Sequence, residues 1–150
     1  MEEDIRLKKK VCIIDDDADL REIYLMKFNQ EGFDVSLAVN GEEGMKSIRE
    51  NRPDIILLDL QMPVKNGMEV LEELGKDEDL KKIPVIVLTN IDNEDAFKEV
   101  GEFETHFYLI KSLTTPQKAI EYVKEVTSSR LLREVVLSLN QPALMCTGHR

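Results

Sequence analysis

Ile55-Ile56-Leu57-Leu58-Asp59-Leu60-Gln61-Met62-Pro63-Val64-Lys65-Asn66-Gly67 is the stretch that decides the fold. Its leading apolar run, Ile55 to Leu58, opens after Pro53-Asp54 and is too short for a helix; it reads as a strand buried on both faces. Asp59 ends the run. A carboxylate directly after a buried parallel strand stands at the carboxyl edge of a sheet, where open α/β folds place their chemistry. Met62-Pro63 and Asn66-Gly67 then set a loop.

The same pattern recurs on both sides. Upstream, Val11-Cys12-Ile13-Ile14 is an apolar strand that ends on Asp15-Asp16-Asp17. Ala18 to Glu31 carries Leu20, Ile23, Tyr24 and Phe28 at helical spacing, with Asp17 as cap and Gly32 as stop. Phe33, Val35, Leu37 and Val39 alternate with Asp34, Ser36 and Ala38, as in an edge strand with one exposed face, and Asn40-Gly41 leads into a helix with Met45 and Ile48 as its apolar points. Downstream, Met68, Leu71 and Leu74 predict a helix closed by Gly75; Val85-Ile86-Val87-Leu88 is a strand that stops at Thr89. Asp92 to Val100 follows as a helix on Ala96, Phe97 and Val100. Phe107-Tyr108-Leu109-Ile110 is the last strand and ends on Lys111, and Ala119, Ile120, Val123 and Val126 build a final helix started by Thr115-Pro116. Strands alternating with helices at short spacing predict an α/β fold: a five-stranded parallel sheet with helices on both faces.

With 150 residues, the chain has room for one domain, expected over residues 8–127, and a short tail over 128–150 in which Leu131, Leu132, Val135, Val136 and Leu139 could form an amphipathic helix. That tail is too short for an output domain. A net charge of −10 argues against a nucleic-acid surface, and the run Lys8-Lys9-Lys10 is too small to reverse it. No apolar stretch has membrane-spanning length, and Met1-Glu2-Glu3-Asp4 is unlike a secretory leader, so the expected location is the cytoplasm, without membrane contact. Cys12 and Cys146 fit neither a disulfide framework nor a metal site.

The strands end on Asp15-Asp16, Asp59, Thr89 and Lys111, and a parallel sheet brings all of these to one edge. Carboxylates gathered there repel one another, so they share protons or hold a cation. Mg²⁺ is the natural ion: it takes a few carboxylates and leaves open positions for phosphate oxygens. An Asp carboxylate can attack phosphorus to give an acyl phosphate, while the metal and a lysine offset the charge of the transferred group and a threonine hydroxyl donates to it.

In these residues the chain resembles a response-regulator receiver domain of two-component signalling, from about Lys8 to about Val126. The likeness covers the acidic pair after the first strand, the Asp followed by Met-Pro and Gly, the Thr ending the fourth strand and the Lys ending the fifth. It implies a flavodoxin-like strand order 2-1-3-4-5 and Asp59 as phosphoacceptor. Asp16 would bind Mg²⁺ directly and Asp15 through water, with Asp59 and the Gln61 backbone carbonyl completing the protein ligands. Thr89 and Lys111 would hold the phosphoryl group. Tyr108 resembles the family's rotameric switch, with core packing as its other reading. The chain would then be a stand-alone response regulator or phosphorelay intermediate rather than an enzyme. Its phosphoryl donor would be a histidine kinase or phosphotransfer protein, and it would signal to a downstream protein. A homodimer could form through the family's fourth helix, fifth strand and fifth helix.

Some positions depart from the family pattern. Ser112 follows Lys111 where a proline with a cis peptide is usual, Asn90 stands where a small side chain is usual, and the apolar Ile91 predicts a long-lived acyl phosphate. Two rival readings remain in view. A haloacid-dehalogenase-type phosphatase would also use Asp15-x-Asp17, but it needs acidic ligands beyond its lysine, and no Asp follows Asp95. A phosphorylation-independent interaction module would keep the fold alone.

Overall fold

A computed structural model of the chain describes residues 8–62, 64–89, 106–128 and 144–147. The first strand, β1 (Lys10–Ile14), leads into α1 (Ala18–Gln30), β2 (Asp34–Ala38) and α2 (Gly41–Asn51). The chain goes on through β3 (Ile55–Asp59), α3 (Gly67–Gly75) and β4 (Val85–Thr89), then β5 (His106–Ile110), α4 (Pro116–Ser128) and β6 (Leu144–Thr147). One sheet has the order β2-β1-β3-β4-β5-β6. Its first five strands pair in parallel in the expected order 2-1-3-4-5.

Burial follows the sequence pattern. Every position of β3 and β4 is buried, as apolar runs covered on both faces require. Alternate residues then feed two cores. Val11, Ile13, Ile55, Leu57, Ile86, Leu88, Phe107 and Leu109 face α1 and α4, where Tyr24, Phe28, Ile120 and Val123 close the layer. Cys12, Ile14, Ile56, Leu58, Val85, Val87 and Tyr108 face α2 and α3, where Met45, Ile48, Val70, Leu71 and Leu74 close the other. Each large side chain so buried contributes roughly 1.5–3 kcal/mol, which holds the carboxyl edge of the sheet rigid.

Caps set where the helices begin. The Asp17 carboxylate accepts from the amides of Asp19 and Leu20, Asn40 accepts from that of Glu43, and Asn66 and Glu69 form a reciprocal capping box. Asp17 is thus the cap that its position predicts.

The edge elements depart from the strict patterns. On and beside β2, Phe33 is buried and Val35 packs partly, but Leu37 and Val39 lie about a third exposed while Ala38 is buried instead. Leu37 follows Phe33 and Val35 on the α1 side but is left half-covered, whereas Ala38 turns to the opposite core beside Ile14 and Met45. Ile23 likewise lies at the rim of α1, exposed, while Tyr24 and Phe28 carry the burial. A further strand, β6, runs antiparallel to β5, pairing Leu144 with Leu109 and Thr147 with His106. The helices expected over 92–100 and 131–139 lie outside the described residues.

Candidate functional site

Four strand ends meet at the carboxyl edge. Asp15 follows β1 and is 1% exposed; Asp16 beside it is exposed; Asp59 ends β3 at 4% exposure; Thr89 ends β4 fully buried. Lys111 directly follows β5 and reaches across the edge, with Nζ 3.1 Å from Asp15 Oδ2 and 3.5 Å from Asp59 Oδ2. A trans backbone suffices for this, since the described residues contain no cis peptide and Ser112 follows Lys111 without one.

The backbone holds each carboxylate in place. The Asp15 amide donates to the Ala38 carbonyl at 3.1 Å, and Asp15 Oδ1 accepts from the Asp17 amide at 2.9 Å. Asp59 Oδ1 accepts from the Gln61 amide at 3.2 Å, which folds the start of the loop back over the strand end. That loop then turns tightly: the Gly67 amide donates to the Leu60 carbonyl at 3.0 Å. A Cβ at Gly67 would lie 2.6 Å from the Asp59 carbonyl oxygen, so only glycine fits there.

Electrostatics at this edge are tense. Burial pushes the Asp59 carboxyl up to about 6 and the neighbouring Asp15 charge pushes the same way, against the Lys111 ammonium and the Gln61 amide. Burial pulls the Lys111 ammonium down, yet the carboxylates of Asp15 and Asp59 outweigh it and hold it above its ordinary value. Ligand oxygens of Asp15, Asp16 and Asp59 all lie within 4.8 Å of one another. Asp15 Oδ2 is buried, and its charged neighbour is the Lys111 ammonium. A buried carboxylate oxygen beside two further carboxylates fits a divalent cation held by oxygen ligands. Gln61 stands two residues from Asp59 on the same loop. Tyr108 is fully buried among the α2 and α3 side of the sheet, beside Val87 in register. Asn90 and Ile91 lie outside the described residues.

Three neighbours escaped the sequence reading. Arg21 on α1 donates from Nη1 to the Asp15 carbonyl at 2.7 Å. Lys65 ties the Asp59 loop down twice, accepting the Gly41 amide on its carbonyl at 2.9 Å and pairing its ammonium with Glu73 on α3. Between them Val64 adopts a left-handed φ of 71°. Only Arg21 had any signal, a cation one turn into the helix that follows the acidic run.

Comparison with known proteins agrees with this architecture. The sequence model of the response regulator receiver domain matches residues 11–124. The chain belongs to that family. Among solved structures, the receiver domain of Francisella response regulator 1452 is 28% identical, with a TM-score of 0.71 over 80% of this chain and 97% of that one. The chemotaxis response regulator CheY4 of Vibrio cholerae shares the fold at 24% identity, with a TM-score of 0.71 over 79% of this chain and 98% of that one. The DNA-binding response regulator MtrA of Mycolicibacterium paratuberculosis is 35% identical over 83 residues, which are 55% of this chain and 36% of that protein.

The receiver chain thus spans about a third of the length of the curated relatives it matches. This corrects the expectation of no direct nucleic-acid contact. That expectation rested on the −10 charge of this 150-residue chain, whereas a relative that shares the receiver part is a DNA-binding response regulator. The charge of one module does not report on what a longer protein binds. Among the described residues, no helix is long and apolar enough to cross a membrane.

Proposed function

We propose that this receiver domain accepts a phosphoryl group on the Asp59 carboxylate in a Mg²⁺-dependent reaction, taken from the phosphohistidine of a histidine kinase or phosphotransfer protein. The observation that supports this most is Asp59 itself: a buried carboxylate at the end of an apolar strand, grouped with Asp15 and Asp16 and paired with Lys111.

An Asp59 oxygen attacks phosphorus and forms the acyl phosphate as the bond from phosphorus to the donor imidazole nitrogen breaks, its electron pair returning to the ring. Asp59 must be ionised to attack, and a carboxyl lifted only to about 6 remains largely so at neutral pH. Asp15, Asp16, Asp59 and the Gln61 carbonyl would hold Mg²⁺, which when bound offsets the charge of the transferred group. The Lys111 ammonium, already drawn to this edge by two carboxylates, supplies a second positive charge to the phosphoryl oxygens. Thr89 offers a hydroxyl from the neighbouring strand end. Replacing one charge pattern by another at a rigid edge then shifts the population of conformations that other proteins meet.

Intact-protein mass after incubation with Mg²⁺ and acetyl phosphate tests the reading. One added phosphoryl group is expected on the unaltered chain and none on Asp59→Asn. An unchanged mass, with a phosphohistidine donor failing as well, would leave the fold serving as a phosphorylation-independent binding module.

A further inference from the structure

Asp15 is held at each of its polar atoms, Oδ2 by the Lys111 ammonium. Its amide donates to Ala38, its Oδ1 accepts from the Asp17 amide, and its carbonyl accepts from Arg21 Nη1 at 2.7 Å. The carbonyl bond matters most for geometry, because that carbonyl belongs to the peptide unit joining Asp15 to Asp16. Two carboxylates of the acidic group hang from that one plane. β1 ends at Ile14, so its strand pairing does not fix the plane. Arg21 is itself anchored: its amide donates to the Asp17 carbonyl at 3.0 Å in the first turn of α1, and Asp17 caps that turn. Asp15, Asp17 and Arg21 thus close a ring around the turn between β1 and α1. A charged donor to a carbonyl is among the stronger hydrogen bonds, and a guanidinium is rigid enough to transmit direction rather than charge alone. The charges that bear on Asp59 are those of Asp15, Lys111 and Asp16.

We propose that Arg21 is a positioning residue for the cation site: by clamping the Asp15 carbonyl it aims the Asp15 and Asp16 carboxylates at the ion that Asp59 shares. This rests on the reading of the site as a Mg²⁺ site. Outer partners that orient metal ligands are typically worth 10–100-fold in metal affinity.

The test is Mg²⁺ titration of the full chain by calorimetry, with Arg21→Ala and Arg21→Lys beside the unaltered protein. It is followed by the rate of phosphorylation from acetyl phosphate as a function of Mg²⁺. Arg21→Ala should weaken Mg²⁺ binding by about tenfold or more and raise the Mg²⁺ concentration giving half the maximal rate by the same factor. The maximal rate at saturating Mg²⁺ should stay within about twofold. Arg21→Lys keeps a cationic donor on a flexible stem and should recover part of the affinity, and it carries the test if Arg21→Ala does not fold. Equal Mg²⁺ affinity in the folded variant and the unaltered chain overturns the inference while leaving the site reading intact. A rate loss that persists at saturating Mg²⁺ also overturns it. Absence of Mg²⁺ binding by the unaltered chain overturns both.

Discussion

Lys111 Nζ stands 3.1 Å from Asp15 Oδ2 although their strands are separated by two others in the sheet. The same ammonium lies 3.5 Å from Asp59 Oδ2, so one lysine pairs with both buried carboxylates. Lys111→Met removes the positive charge that holds the Asp59 carboxyl down. The Asp59 titration, followed by carboxyl-carbon NMR, should move above about 6, and phosphorylation from acetyl phosphate should fall by roughly 10²-fold. An unmoved titration would mean that Lys111 does not act on Asp59.

Asp59 ionises less readily folded than unfolded, since its carboxyl is raised from 3.8 to about 6. For a raised carboxyl the folded state binds the proton more tightly. Stability is therefore greatest below the unfolded value and declines as pH rises from about 4 to about 6. In metal-free protein Asp59→Asn should be more stable than the unaltered chain by about 1–3 kcal/mol at pH 7. That advantage should vanish near pH 3.5. Urea unfolding at both pH values measures it.

Gly67 leaves no space for a methyl group. A Cβ there would meet the Asp59 carbonyl oxygen at 2.6 Å and Leu60 Cα at 2.7 Å, both backbone atoms that cannot swing away. Gly67→Ala should destabilise the fold by about 1–3 kcal/mol and slow phosphorylation at the same time, because the displaced atoms carry Asp59. Denaturant midpoint and intact mass report the two effects.

Val64 is 76% exposed and β-branched, yet its φ is 71°. The left-handed region costs an L side chain about 1–2 kcal/mol, and asparagine tolerates it better. The bonds of Lys65 to Gly41 and Glu73 hold the strained turn in place. Val64→Asn should raise stability by about 0.5–1 kcal/mol, read as an increase in denaturant midpoint with unchanged slope.

Much of this architecture was legible before any coordinates. Four apolar runs between helical patterns could only be strands covered on both faces, and each ended on a polar residue, so a parallel order placed Asp15, Asp16, Asp59, Thr89 and Lys111 together. Edge elements were less legible. Alternation on β2 pointed to Leu37 as a core residue, but the strand lies at the border of the sheet and Ala38 took the burial. β6 was not recognised as a strand, since Leu144-Met145-Cys146-Thr147 is short and without alternation, although Asn140 and Pro142 mark a turn before it. Arg21 left only a weak signal, a cation one turn into the helix after the acidic run, because an arginine on an amphipathic helix reads as a solvated charge.

The sequence by itself determined the buried central strands and the residues that end them, because periodicity is a local property of the chain, whereas burial at the border of the sheet was not settled by it. Strand order followed from the family resemblance. Only the tertiary structure decided how those strand ends act on one another. The span of Lys111 between Asp15 and Asp59 and the lift of the Asp59 carboxyl to about 6 depend on distances of a few ångströms between residues remote in sequence, and the Arg21 clamp on Asp15, six residues away, depends on how the turn between them folds. Charge interactions and hydrogen bonds fall off over such distances, so no reading of spacing along the chain could supply them.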